Sequence, residues 1–106
     1  MKALVLQGDA NSANVFGLPF PNHVDARVLA PSVAESHTIP AGARFVLFSA
    51  DDDFYARFDG TADIPAGDIT DGSASEINPT VRAIDGATTI GLIAENVTIV
   101  TLSFYS

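Results

Sequence analysis

The chain has 106 residues, of which 47% are hydrophobic and 17% are charged, and its formal net charge is −8 at neutral pH. This length suits one domain with one core, and the high hydrophobic content excludes a disordered chain. Thirteen acidic residues against five basic ones disfavour nucleic-acid binding and docking on anionic lipid, because both need Lys and Arg to neutralise phosphate. No apolar run approaches the ~18 residues of a membrane span. We therefore expect neither nucleic acid nor membrane as a partner.

The first 23 residues differ in composition from the rest and predict an extended N-terminal arm. They are rich in Gly, Asn, Ser and Pro, and Phe16, Leu18 and Phe20 are spaced by two residues. Pro19 and Pro21 favour an extended backbone and cannot donate to a β-ladder. The arm therefore presents apolar side chains either to its own domain or to a neighbouring subunit, and the pattern leaves both alternatives open.

Residues 24–106 predict a β-domain without helical periodicity. The predicted strands are 24–30, 33–38, 43–49, 54–58, 80–84, 88–93 and 97–105. Short strands separated by regular turns are typical of an antiparallel β-sandwich or jelly roll, here of about seven to eight strands. The first two strands have a short connection and are expected to pair as a hairpin. The last strand is long and rich in β-branched residues, which predicts a central position in a sheet.

The third predicted strand is apolar on both faces, which a half-solvated antiparallel strand does not show. Phe45 and Leu47 share one face, and Val46 and Phe48 share the other. We expect Val46 and Phe48 to lie on an outer face that the arm or a second subunit covers. Tyr105 is expected at a sheet surface or subunit contact. With the three apolar residues of the arm, these are the candidate interface residues.

No catalytic or metal-binding constellation is visible in the sequence. His23 and His37 are the two candidates for acid–base chemistry, and His37 is expected to be exposed on the charged side of its strand. Activation of a Ser nucleophile would need a Gly-x-Ser-x-Gly elbow, which is absent. The aspartates at 51–53 offer oxygen ligands of the kind Ca²⁺ prefers, but EF-hand spacing is missing and a solvated turn is favoured. We predict a non-enzymatic protein that needs no cofactor or metal.

Three segments carry a resemblance to known proteins: ARFVLF at 43–48, GSASEINP at 72–79 and VTLSFY at 100–105. In these segments the chain resembles small virion structural proteins of tailed bacteriophages, over roughly residues 38–105. The resemblance implies a capsid decoration or cement protein that binds the outside of the shell. It further implies the major capsid protein as partner, a homo-oligomer with the trimer favoured, and a location in the virion after assembly in the host cytoplasm.

Two other classes of function stay open beside this one. The first is a binding module, either a phage tail or fibre attachment domain or a glycan-binding β-sandwich centred on residues 51–55. The second is a small hydrolase, which is disfavoured because no nucleophile lies near a base in the sequence pattern.

Overall fold

The computed structural model of the protein describes residues 1–4, 7–9 and 12–106, and between residues 7 and 17 it describes the backbone alone. The strands of this part are β1 (Gln7–Asp9), β2 (Ser12–Gly17), β3 (Val24–Leu29), β4 (Glu35–Thr38), β5 (Phe45–Ala50), β6 (Tyr55–Phe58), β7 (Glu76–Ile77), β8 (Val81–Ala83), β9 (Thr89–Ile93) and β10 (Thr98–Tyr105). These described residues contain no helix, and hence none that could cross a membrane.

Two four-stranded antiparallel sheets form the body of the protein, so the predicted all-β sandwich is confirmed. Sheet I has the order β3-β10-β5-β8, and sheet II has the order β4-β9-β6-β7. Strand β10 lies between β3 and β5, which confirms its predicted central position. Strands β1 and β2 form a separate two-stranded sheet. The jelly-roll alternative and the N-terminal arm stay predictions.

The predicted hairpin of β3 and β4 is wrong, because their connection carries the chain from one sheet to the other. Pro31 forms a parallel bridge with Ala94, and the backbone N–H of Ser32 donates to the Ala94 carbonyl at 2.7 Å. Ser32 has a φ of 57°, a left-handed conformation that reverses the chain direction sharply. Strand β3 therefore pairs with β10, and β4 pairs with β9.

The hydrophobic core lies between the two sheets. Its buried side chains include Leu29, Val46, Phe48, Phe54, Ala56, Ile90, Leu92, Val100, Leu102 and Phe104. Val46 is opposite Phe104 and Phe48 is opposite Leu102 in the register of β5 with β10. Because directly opposed residues point to the same face of a sheet, all four side chains point towards sheet II.

Val46 and Phe48 are therefore core residues, and their predicted position on the outer face is wrong. Val46 is fully buried and Phe48 nearly so within a single chain. The outer side of β5 carries Phe45 and Leu47, which are half-buried. Both sides of this strand are apolar, so alternation identified the two faces but not which of them meets the second sheet.

Candidate functional site

The outer face of sheet I carries no charged side chain on its strands. The residues that alternate with the inward-facing ones are Val24, Ala26 and Val28 on β3, Ile99, Thr101, Ser103 and Tyr105 on β10, Phe45, Leu47 and Ser49 on β5, and Val81 and Ala83 on β8. The whole chain has 13 acidic and five basic residues. An uncharged sheet face is therefore unusual for this composition, since charge is expected on solvated surfaces.

Several apolar side chains of this face are exposed to solvent. Val28 is 63% exposed and its cross-strand partner Ile99 is 46% exposed. Val24 is 49% exposed at the other end of the same edge strand. Contiguous exposed apolar patches on soluble proteins commonly mark interaction sites. The outer face of sheet I is therefore the candidate contact surface.

Sequence reasoning missed these residues as interface candidates. Val24, Ala26 and Val28 alternate with Asp25 and Arg27, a pattern that ordinarily places the apolar side in the core. The structure reverses it, because Asp25 lies opposite Leu102 on the inner side of sheet I. No signal in the sequence distinguishes them, because the position of sheet II decides which side of each strand faces outward.

Charged side chains face inward at one open edge of the sandwich, between β3 and β4. In addition to Asp25 and Arg27 on β3, Glu35 and His37 on β4 lie opposite the core residues of β9. The side chain of His37 is 13% exposed, so its predicted exposure is wrong, and Nε2 lies 3.3 Å from Glu35 Oε1. Burial lowers the pKa of His37, and the Arg27 charge acts in the same direction.

An ion pair closes the opposite edge, between β7 and β8. Arg82 lies opposite Val46 and Glu76 lies opposite Ala56, so each projects into the space between the sheets. Arg82 Nε donates to Glu76 Oε2 at 3.3 Å, and the hydrogen bond from Arg82 lowers the pKa of Glu76. A pocket of about 230 Å³ lies beside the pair and includes Phe58 in its wall. Inward-pointing charges on edge strands oppose pairing with the edge of another sheet.

The outer face of sheet II differs at β9, where a loop of the chain covers it. A Cβ placed on Gly91 in β9 would lie 2.4 Å from the Gly60 carbonyl oxygen and 3.0 Å from the Ala62 backbone nitrogen. Ala62 is fully buried. The loop after β6 therefore packs directly on this strand. The exposure of Val24 and Val28 shows that no described segment covers β3 in the same way.

The segment between β2 and β3 places the predicted arm residues at the C-terminal end of β10. The Tyr105 hydroxyl donates to the Pro19 carbonyl at 3.0 Å, and Tyr105 is buried although it lies on the outer side of β10. Leu18 and Phe20 flank Pro19 and are 44% and 90% exposed. Part of the predicted arm thus covers its own domain, while its two apolar side chains remain accessible. The side chain of Phe16 lies outside the described part, so its contact stays a prediction.

The N-terminal residues are anchored at the same end of the sandwich. Ser106 donates its backbone N–H to the Lys2 carbonyl at 2.8 Å, and the Leu4 N–H donates to the Ser106 carbonyl at 3.3 Å. The Phe104 N–H donates to the His23 carbonyl at 2.9 Å. Gln7, the first residue of β1, pairs with Gly17, the last residue of β2. Gly17 directly precedes Leu18, so the β1-β2 sheet adjoins the segment that carries the exposed side chains of residues 18 and 20.

The aspartates at 51–53 each accept a hydrogen bond within the protein. Asp51 Oδ1 accepts from the Ile99 N–H at 2.9 Å, and Asp52 Oδ1 accepts from the N–H of Asp53 at 2.8 Å. Asp53 Oδ1 accepts from the Asn78 side-chain amide at 2.8 Å. Within the described ranges, no three His, Cys, Asp or Glu residues are grouped so that they could hold a metal ion. The three carboxylates thus stabilise the corner between β5 and β6.

Comparisons of the chain with protein-family models, with curated proteins and with solved structures found no match.

Proposed function

We propose that the protein is a non-enzymatic structural component of a bacteriophage virion, and specifically a capsid decoration or cement protein on the outer shell. The observation that carries this proposal is the exposure of Phe20, at 90%, on a segment held against a rigid sandwich. An aromatic ring is costly to leave in water and contributes strongly when it is buried against a partner. In this proposal Leu18 and Phe20 contact the major capsid protein.

The order of the strands supports the jelly-roll interpretation. The paired strands are nested along the chain, with β3 on β10, β4 on β9, β5 on β8 and β6 on β7. Wrapping such a nested hairpin into two four-stranded sheets produces a jelly roll, an architecture of viral capsid proteins and also of lectins and cupins. Because one fold hosts many functions, this order supports a capsid role without excluding the others.

The charge of the chain agrees with a partner made of protein. A formal charge of −8 opposes contact with the packaged DNA, so the outside of the shell suits the molecule better than the inside. Many identical copies on one particle bind through weak contacts that add up by avidity. A small sandwich with a closed core then braces neighbouring shell subunits. We also propose that the copies associate with one another.

Binding to capsids tests the proposal directly. Purified protein is added to shells of the encoding phage that lack it, and bound protein is measured by co-sedimentation. Replacing Leu18 and Phe20 by serine should weaken binding by about tenfold or more for each residue, because burying such a side chain contributes roughly 1.5–3 kcal/mol.

The matched control is Val97→Ser. Val97 is also an exposed apolar residue, but it precedes β10 and so lies at the end of that strand remote from residues 18–20. Its binding should equal that of the wild type. Localisation on intact particles completes the test: protein on the tail would support the attachment-domain alternative, and absence from the particle would overturn a virion role.

A further inference from the structure

We propose that Asp85 is a site of spontaneous covalent modification, at which the folded protein converts aspartate to isoaspartate through a cyclic succinimide. The chain contains three Asp-Gly dipeptides, at residues 59–60, 71–72 and 85–86. A glycine after the aspartate leaves its own backbone nitrogen unobstructed, because it carries no Cβ. The structure protects two of these sites and leaves the third open. The inference is independent of the proposed virion role.

The reaction needs only the chain and water. The backbone nitrogen of the glycine attacks Cγ of the aspartate, so an N–Cγ bond forms while the N–H proton and the carboxyl OH leave as water. Water then opens the ring. Hydrolysis at Cγ restores aspartate, whereas hydrolysis at the backbone carbonyl carbon gives isoaspartate, whose main chain runs through the former side-chain carbonyl. Nothing is oxidised or reduced. The neutral carboxyl is the reactive form, because an ionised carboxylate resists attack by a nucleophile.

Asp85 and Gly86 are the two central residues of a turn between β8 and β9. Their φ angles are 49° and 86°, and the Ala87 N–H donates to the Ile84 carbonyl at 3.0 Å, the pattern of a type I′ turn. Both central residues are exposed, and a Cβ built on Gly86 would meet nothing within 4 Å. Among the groups that the structure describes, none donates to the Asp85 carboxylate, and none accepts from the Gly86 N–H. Both reacting groups are therefore accessible.

Asp59 is protected by hydrogen bonds that hold its carboxylate away from the next residue. Its Oδ1 accepts from the Thr88 N–H at 2.8 Å, from the Thr89 N–H at 3.0 Å and from the Thr88 hydroxyl at 3.1 Å. The backbone hydrogen bonds from these threonines lower the pKa of Asp59, which keeps the carboxyl ionised. The surroundings are also crowded, since a Cβ on Gly60 would lie 2.9 Å from Arg57 Nε.

Asp71 is protected by one neighbouring residue. Its Oδ1 accepts from the Ser73 hydroxyl at 2.6 Å and from the Ser73 N–H at 3.0 Å. These hydrogen bonds lower the pKa of Asp71. The space around Gly72 is open, as it is around Gly86. Asp71 therefore differs from Asp85 chiefly in the hydrogen bonds to its carboxylate.

Isoaspartate at position 85 would lengthen a turn that is fixed at both ends. The Ile84 N–H donates to the Arg44 carbonyl at 2.8 Å, and the Thr88 carbonyl accepts from the Ile39 N–H at 2.9 Å. The modification adds one carbon atom to the main chain between these anchors. We therefore expect modified molecules to unfold at a lower urea concentration than unmodified ones.

Peptide mapping after prolonged incubation tests the inference. The folded protein is held at about pH 6, where a carboxyl with the ordinary pKa is still protonated in about one molecule in a hundred. Trypsin cuts after Arg57 and Arg82, so residues 59 and 71 share one peptide and residue 85 lies in the next. Electron-transfer fragmentation distinguishes isoaspartate from aspartate at each position.

Isoaspartate should accumulate at Asp85 about tenfold or more faster than at Asp59 or Asp71, because hydrogen bonds to an ionised group each contribute about a factor of ten. The same incubation in guanidinium chloride is the control. Unfolding removes the hydrogen bonds, so the three sites should then react at similar rates.

Ser73→Ala separates the effect of hydrogen bonding from that of sequence. The substitution removes the hydroxyl that donates to Asp71 and leaves the Asp-Gly dipeptide intact. Isoaspartate at Asp71 should then form severalfold faster, while the rate at Asp85 should stay as in the wild type and thereby report an unchanged fold.

Three outcomes would overturn the inference. The first is a folded protein in which Asp59 or Asp71 reacts as fast as Asp85. The second is a folded protein in which Asp85 stays unmodified while all three sites react in denaturant. The third is a Ser73→Ala variant whose Asp71 is no more reactive than in the wild type. Because none of these measurements involves a capsid, their result does not depend on the virion role.

Discussion

Replacing Gly91 by alanine tests whether the loop after β6 packs directly on sheet II. A methyl group at this position would lie 2.4 Å from the Gly60 carbonyl oxygen and 3.0 Å from the Ala62 backbone nitrogen. Both neighbours are backbone atoms, so neither can move away by a side-chain rotation. The added carbon must displace either the loop or strand β9, which contributes two core residues.

The expected destabilisation follows from this geometry. Contacts of a Cβ closer than 3.0 Å essentially do not occur in proteins, so the loop has to shift by more than half an ångström. Overpacking of this kind typically costs 1–3 kcal/mol, and a contact with backbone places the cost at about 2–3 kcal/mol. For a domain of this size that corresponds to a decrease in Tm of about 10–20 °C.

Urea and thermal unfolding measure this difference against Gly67→Ala. A Cβ on Gly67 would meet nothing within 4 Å, so this control should unfold like the wild type or be more stable by up to about 1 kcal/mol. If Gly91→Ala and Gly67→Ala have free energies of unfolding within about 0.5 kcal/mol of each other, the loop does not cover sheet II as described. The packing of this loop on strand β9 would then be refuted.

Three further substitutions test other parts of the structure. Asn78→Ala removes the side-chain oxygen that accepts from the Phe54 N–H at 3.1 Å, and urea unfolding should show a loss of about 1–3 kcal/mol; an unchanged midpoint would contradict this role. Val46→Ala should lower the free energy of unfolding by about 2 kcal/mol, because it removes two fully buried methyl groups. An unchanged free energy of unfolding would indicate that Val46 lies on the outer face. Hydrogen bonds from the backbone N–H groups of Thr88 and the next residue lower the pKa of Asp59 below its usual 3.8. The folded state thus binds this proton less readily than the unfolded state, so the stabilisation is complete above pH 3.8 and is lost as the pH falls through the lower folded pKa. Asp59→Asn should therefore reduce the loss of unfolding free energy that the wild type shows at acidic pH. An unchanged pH dependence would refute this role of Asp59.

The positions of the strands follow from local patterns. All the strands predicted within residues 24–106 are present, because alternation and turn residues act over a few neighbouring positions. Strand β10 illustrates this, since its length and β-branched residues place it centrally. Strand β7 was missed because its two residues, Glu76 and Ile77, show no periodicity within a polar loop.

The pairing of strands, in contrast, depends on contacts between distant residues. A short connection predicted that β3 and β4 pair, yet the corner at Pro31 and Ser32 separates them into different sheets. Their actual partners, β10 and β9, lie far away in sequence. A local sequence pattern does not indicate which distant strand pairs with a given strand.

The candidate contact surface likewise combines a part that alternation predicts with a part that only the packing of the two sheets decides. Alternation shows that Val24 and Val28 share one side of a strand and that Val46 and Phe48 share one side of another. Only the position of sheet II decides which side is the core. At the edge strand β3 the inward side is charged and the outward side is apolar. The apolar side of β3 is therefore exposed to solvent, because burial is a property of the packed sheets and not of a single strand.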